Sequence, residues 1–249
     1  MHYAQKDNGL YILNRTEIEE IATKKLKEFA PINLERPLPL NTTDFLVDKL
    51  GLIVKNKYIG DFDSGILGLT VFGDIVPIPS YDERFNRVIL EETFGTVLIS
   101  PRLIGRENLP RRRYTEMHEA SHFILHQPYF ECCDSATAAR IESANQFVVC
   151  RKIERTGKEQ KLSDSDWMEY QADSLAAAML MPREPFIEYA RSIFRKYDVR
   201  GNYITRSTPT NTKRANMITH KIAEKFMVSF QAAQIRMKHL GLIRETTLF

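Results

Sequence analysis

The sequence predicts an α+β fold, and three observations carry that expectation. β-rich runs cluster between Leu52 and Ile99, helical segments follow from Pro110 to Tyr197, and a polar run at residues 201–213 sets off a last helical stretch. At 249 residues the chain is long enough for one good-sized domain plus an accessory piece, taking about 150 residues per domain. Its 43% hydrophobic and 27% charged content is ordinary for a globular protein and excludes wholesale disorder. A formal charge of +3 is too small to imply a nucleic-acid or membrane partner, so any basic surface has to be local.

The three cysteines, Cys132, Cys133 and Cys150, are too few and too clustered for a disulfide framework, and they read as free thiols in a reducing cytoplasm. The first residues lack the basic and apolar regions of a secretory signal. The longest apolar stretch, Leu175 to Met181, falls far short of a membrane span. These readings predict a soluble, cytoplasmic protein.

Taken in order, Ile18, Ile21, Ala22, Leu26 and Phe29 recur at helical spacing and predict an amphipathic helix from Asn14 to Phe29, ended by Pro31. A short helix near Asp44 to Leu50 stops at Gly51. Strands are expected at Leu52–Ile59, Ile66–Phe72, Asp74–Ile78, Val88–Leu90 and Thr96–Ile99. The next helix runs from about Pro110 to His126, with Pro128 just past its end. Residues 127–162 show little periodicity and read as an insertion. A buried helix follows from Ser163 to Met181, opened by a Ser163/Asp166 capping box and stopped by Pro182, and then another from Glu184 to Tyr197. The expected organisation is a domain at 1–200, a linker at 201–213 and a C-terminal segment at 214–249.

The most informative residues are His118-Glu119-Ala120-Ser121-His122, an H-E-x-x-H pattern inside a segment read as helix on other grounds. Side chains four apart share a helix face, so both imidazoles can reach one ion, with Glu119 beside them. Zinc suits neutral imidazole. With three protein ligands its fourth position holds a water whose pKa falls to near 7, and Glu119 is then placed as general base. An extended pattern with a further histidine ten residues after the first is excluded, because Pro128 stands there, and His126 is wrongly placed for it.

A carboxylate from another helix has to complete the set, and Glu169 stands out by its surroundings. From Trp167 to Met181 nearly every residue is apolar, and Glu169 and Asp173 are the only charges, four apart on one face. Burying two carboxylates there is costly unless cations pair with them, and a metal and an imidazole provide the pairing. This assigns Glu169 as third ligand and Asp173 as the acceptor that orients a ligand histidine through its other nitrogen. The bland alternative is a wet stripe that includes Gln171 and Ser174.

On these residues the chain resembles the ImmA/IrrE family of zinc metallopeptidases, of the broader gluzincin type. The first stretch of likeness is Arg113-Tyr114-Thr115 leading into His118–His122 and on to His126. The second is Glu169-Tyr170-Gln171-Ala172-Asp173 through Leu180-Met181-Pro182. Ser121 departs from the family's usual glycine. The resemblance implies a zincin-like metallopeptidase domain with a small β-sheet and active-site helices. It implies ligand roles for His118, His122 and Glu169, catalysis by Glu119, support from Asp173 and a Zn²⁺ cofactor. It also implies a cytoplasmic endopeptidase that cleaves a helix-turn-helix transcriptional repressor.

Ile218 to Ile243 reads as helix, turn, helix, with Ile222, Ala223, Phe226, Val228, Ala232, Ile235 and Leu240 as its core. Arg214, Lys221, Lys225, Arg236 and Lys238 are placed to meet phosphate, and Ser229, Gln231 and Gln234 to face bases. The alternative for this segment is a helix pair that packs on the protease or docks another protein; the competing functional reading for the chain is a DNA-binding regulator whose metal site is structural or sensory. Glu119 argues against it, because a structural zinc site needs no base.

Overall fold

Gly68-Leu69-Thr70-Val71 and Thr96-Val97-Leu98-Ile99 carry no charge and are rich in β-branched side chains, and both runs form strands buried on either face. They are β2 (Gly68–Val71) and β5 (Thr96–Ile99), antiparallel neighbours in a four-stranded sheet of order β1-β5-β2-β6. β1 (Ile53–Asn56) runs parallel to β5, and β6 (Phe147–Cys150) antiparallel to β2. The computed structural model describes residues 3–60, 64–82, 84–131, 163–245 and the backbone of 147–150. The described chain forms two compact units, Met1–Ile18 with Thr42–Ala176, and Glu19–Asn41 with Ala177–Phe249.

In the first unit, strand register decides what meets what. Leu69 pairs with Leu98, and Thr70 with Val97. Alternation therefore sends Leu69, Val71 and Leu98 to one side, where they join Ile59, Ile66, Val76 and Ile78 in a core cluster with Leu90 against it. Burial of each such side chain contributes about 1.5–3 kcal/mol. Val76, Ile78 and Leu90 come from the hairpin of β3 (Val76–Tyr81) and β4 (Arg87–Glu92). Gly68 and Thr70 face the other way, toward a long helix.

The helices, in chain order, are α1 (Arg15–Phe29), α2 (Ile32–Glu35), α3 (Thr42–Asp44, continued by a π-turn at Phe45–Lys49), α4 (Leu109–Glu131), α5 (Asp164–Leu180), α6 (Arg183–Lys196), α7 (Pro209–Phe226) and α8 (Phe230–His239). α4 packs against β2 and carries Pro128 inside it rather than beyond its end. An interior proline removes one hydrogen bond and costs about 3 kcal/mol. The turn nevertheless continues, and Phe130 within it stacks on Phe72 with ring centroids 4.2 Å apart and planes 8° from parallel. The expected insertion at 127–162 thus contains the last turn of α4 and, at Phe147–Cys150, an edge strand of the sheet. Cys132, Cys133 and the side chain of Cys150 lie outside the described residues. No helix among the described residues is long and apolar enough to cross a membrane.

The second unit packs α6 against α2 and α7 around Phe186, Phe194, Ile218, Ile222, Phe226 and Met237, with the Phe186 and Phe226 rings 5.2 Å apart. Thr208 caps α7 by accepting from the Asn211 amide, and Pro209 stands in its first turn. The helix therefore begins within residues 201–213, the stretch expected to be a linker, which also holds β7 (Ile204–Thr205), paired in parallel with β8 (Ile243–Arg244). Met227 takes the left-handed conformation between α7 and α8 at φ 52°, and Ser229 caps α8 through the Ala232 amide. Ile222, Ala223, Phe226 and Val228 are buried as expected, but α8 buries Ala233, Arg236 and Met237 and leaves Ile235 43% exposed.

Arg236 explains that rotation. Its Nε donates to the Met181 carbonyl at 3.0 Å, its Nη2 to Glu19 Oε2 at 2.9 Å, and its Nη1 also pairs with Glu19. Arg236 is thus drawn inward as a structural ion pair and does not present a phosphate contact. Arg236→Ala should leave Glu19 and the Met181 carbonyl uncompensated and destabilise the protein by about 2–4 kcal/mol in chemical denaturation. An unchanged midpoint would mean that the arginine is a surface group.

Candidate metal centre

α4 is anchored before it delivers any chemistry. Glu116 is buried, accepts from Thr42 Oγ1 at 2.5 Å and from Arg112 Nε at 2.8 Å, and so ties the helix to the start of α3. Just beyond it come His118, Glu119 and His122, all buried, with His126 one turn past His122. Ser121, where the family's usual residue is glycine, is buried and donates to the Met117 carbonyl at 2.7 Å. α5 supplies the facing side chains. It opens with the expected capping box, Asp166 N to Ser163 Oγ at 3.1 Å and Ser163 N to Asp166 Oδ2 at 3.0 Å.

The side chains read from sequence as ligands converge. His118 Nε2 and His122 Nε2 stand 2.9 Å apart, and each is 3.3 Å from an oxygen of Glu169. Among the described residues these three form a buried group able to hold a metal ion. With bonds of about 2.0–2.2 Å, neighbouring ligands of a tetrahedral zinc lie about 3.3–3.6 Å apart. The two imidazole–carboxylate separations meet that spacing, and the donor set of two nitrogens and one oxygen is one zinc accepts. The residues fit the metal.

His118 is held from behind. Its Nδ1 lies 3.0 Å from Asp173 Oδ1, and because a carboxylate only accepts, Nδ1 carries the hydrogen and Nε2 keeps its lone pair. Asp173 therefore sits where expected, though its side chain is 51% exposed and not the second buried carboxylate of an apolar helix. Tyr114 donates to the same Asp173 Oδ1 at 3.3 Å. Burial works to raise the Glu169 carboxyl, but the adjacent imidazoles of His118 and His122 prevail and hold it at about 2.

Glu119 is placed by the sheet. Thr70 Oγ1 donates to its Oε2 at 2.7 Å, while Oε1 is buried with no partner among the described residues. Gly68 makes the room, since a Cβ there would collide with Oε1 and come within 2.8 Å of Cγ. Burial pushes the Glu119 carboxyl up to about 8. His126, also buried, lies 3.0 Å from His122 Nδ1 and 3.1 Å from Gln171 Oε1. Burial, followed by the neighbouring His122, drives its pKa well below the usual histidine range.

Residues 77–238 match the IrrE N-terminal-like domain, a peptidase family, and that span is more than half of the chain. The chain belongs to the ImmA/IrrE family. No curated protein matches it. The matched span of this ImmA/IrrE-family chain includes both helices of the centre, from His118 on α4 to Asp173 on α5. Sequence reasoning missed Thr70, Gly68 and Gln171 and set His126 aside. The spacing of His126 four residues after His122 was a usable signal, whereas nothing local to β2 marks Thr70.

Glu119 generates a pH-dependent expectation for metal-free protein. Its carboxyl has a pKa near 4.5 when unfolded and about 8 when folded, so folding between those values takes up a proton and wild type loses stability as pH rises. Glu119→Gln removes that penalty. Its stability advantage over metal-free wild type should be near zero at about pH 4 and grow to about 4 kcal/mol by about pH 8. A pH-independent difference in denaturation would show that burial does not hold this carboxyl protonated.

Proposed function

We propose that the protein is a zinc-dependent endopeptidase of the cytoplasm, with His118, His122 and Glu169 as metal ligands and Glu119 as general base. One observation carries this reading: three atoms able to ligate a metal meet beside a buried carboxylate, one oxygen of which has no hydrogen bond among the described residues. A zinc ion held by those residues supplies Lewis-acid polarisation of the scissile carbonyl and a water acidic enough to ionise near neutral pH.

The chain's own side chains supply the rest. Glu119 Oε1 takes the proton of the attacking water and passes it to the departing amine. Thr70 holds Oε2 and keeps the carboxylate from turning away. Asp173 fixes the ring of His118 with its lone pair toward Glu169. The proposed substrate is a helix-turn-helix transcriptional repressor, the class implied by the family resemblance. The competing reading, a DNA-binding regulator, is weakened because Arg236 is buried on Glu19 and Lys221 pairs with Glu224 at 2.9 Å.

Elemental analysis should find one zinc per chain, lost in His122→Ala. Glu119→Gln should keep its zinc and lose proteolysis by at least about 10²-fold, followed by mass spectrometry of repressors incubated with either form. Undiminished cleavage by Glu119→Gln would remove this residue from the mechanism. Asp173→Asn should weaken zinc binding by about 10- to 100-fold in a competitive chelator titration, and equal affinity would remove Asp173 from support of the metal.

A further inference from the structure

We infer that Gln171 and His126 form a positioning relay, anchored on the Tyr11 backbone carbonyl, that fixes which ring nitrogen His122 presents to the metal; the inference rests on the zinc reading above. Among the described residues His122 has no carboxylate behind it comparable to Asp173 behind His118. Its Nδ1 faces another histidine.

The direction of every hydrogen in the relay follows from one group that can only accept. The Tyr11 carbonyl lies 2.6 Å from Gln171 Nε2 and 3.1 Å from Trp167 Nε1, so the amide turns its NH₂ toward Tyr11. Gln171 Oε1 is then left facing His126 Nε2 at 3.1 Å, and that nitrogen carries a hydrogen to donate. A neutral imidazole has one N–H, so His126 Nδ1 is bare and accepts from His122 Nδ1 at 3.0 Å. With its hydrogen on Nδ1, His122 keeps a lone pair on Nε2, the atom that stands against His118 Nε2 and Glu169.

Gln171, His126 and His122 are each fully buried, which shields the relay from competition by water. The two ligand histidines thus reach the same tautomer by different means, His118 through an exposed carboxylate and His122 through buried neutral groups. The outer end of the relay is itself held. Tyr11 belongs to an N-terminal arm that is tied to the start of α5 by Lys6 and Asn8 on Asp164, at 2.5 and 2.8 Å.

The test is nitrogen NMR of histidine-labelled, metal-free protein together with zinc titration against a competing chelator. Wild type should show the hydrogen on Nδ1 of His122 and on Nε2 of His126. Gln171→Met, similar in length but without the amide, should mix the tautomers of both rings and weaken zinc binding by about 10- to 100-fold. Should that variant fail to fold, the tautomers of wild type still decide the matter. A hydrogen on Nε2 of His122 in wild type overturns the relay, as does Gln171→Met with unchanged tautomers and zinc affinity. A wild type with the expected tautomers that binds no zinc would instead sink the zinc reading, and with it the role of the relay but not the placement of its hydrogens.

Discussion

Two imidazole nitrogens and a carboxylate brought within 2.9–3.3 Å of one another oppose each other's lone pairs unless a cation stands among them. Holding such atoms together inside a protein requires that each be fixed from behind, and the surrounding fold is organised around that requirement. α4 is pinned through Glu116, α5 is capped by Ser163, and Asp173 and His126 each take one ring nitrogen of His118 and His122 respectively. In the proposed reading the metal binding free energy offsets the strain of this arrangement.

Strand β2 joins the chemistry to the core. Leu69 and Val71 bury themselves against the hairpin, and the alternation of the strand then turns Gly68 and Thr70 to α4. A slip of one residue in register would put a leucine where Glu119 needs space and a hydroxyl. The position of the proposed general base is therefore set by hydrophobic packing on the far face of the sheet.

Much of this was legible in the sequence because its signals are local. The spacing of His118, Glu119 and His122 on one helix face, and the two carboxylates in the apolar helix that follows, need no tertiary information. What escaped depends on long-range placement. Gln171 looks like a surface polar residue until the Tyr11 carbonyl and His126 meet it, and Pro128 looks like a helix stop until Phe130 finds Phe72. The face of α8 was misread for the same reason, since nothing near Arg236 in the chain announces that Glu19 will draw it inward.

X-ray absorption at the zinc edge of the loaded protein tests the central claim most directly, because it reports the atoms bound to the metal. The account predicts two imidazoles with oxygen ligands at about 2.0–2.2 Å, and the loss of one oxygen or of the metal in Glu169→Gln. A sulfur neighbour at about 2.3 Å, which could come from Cys132, Cys133 or Cys150, would contradict it.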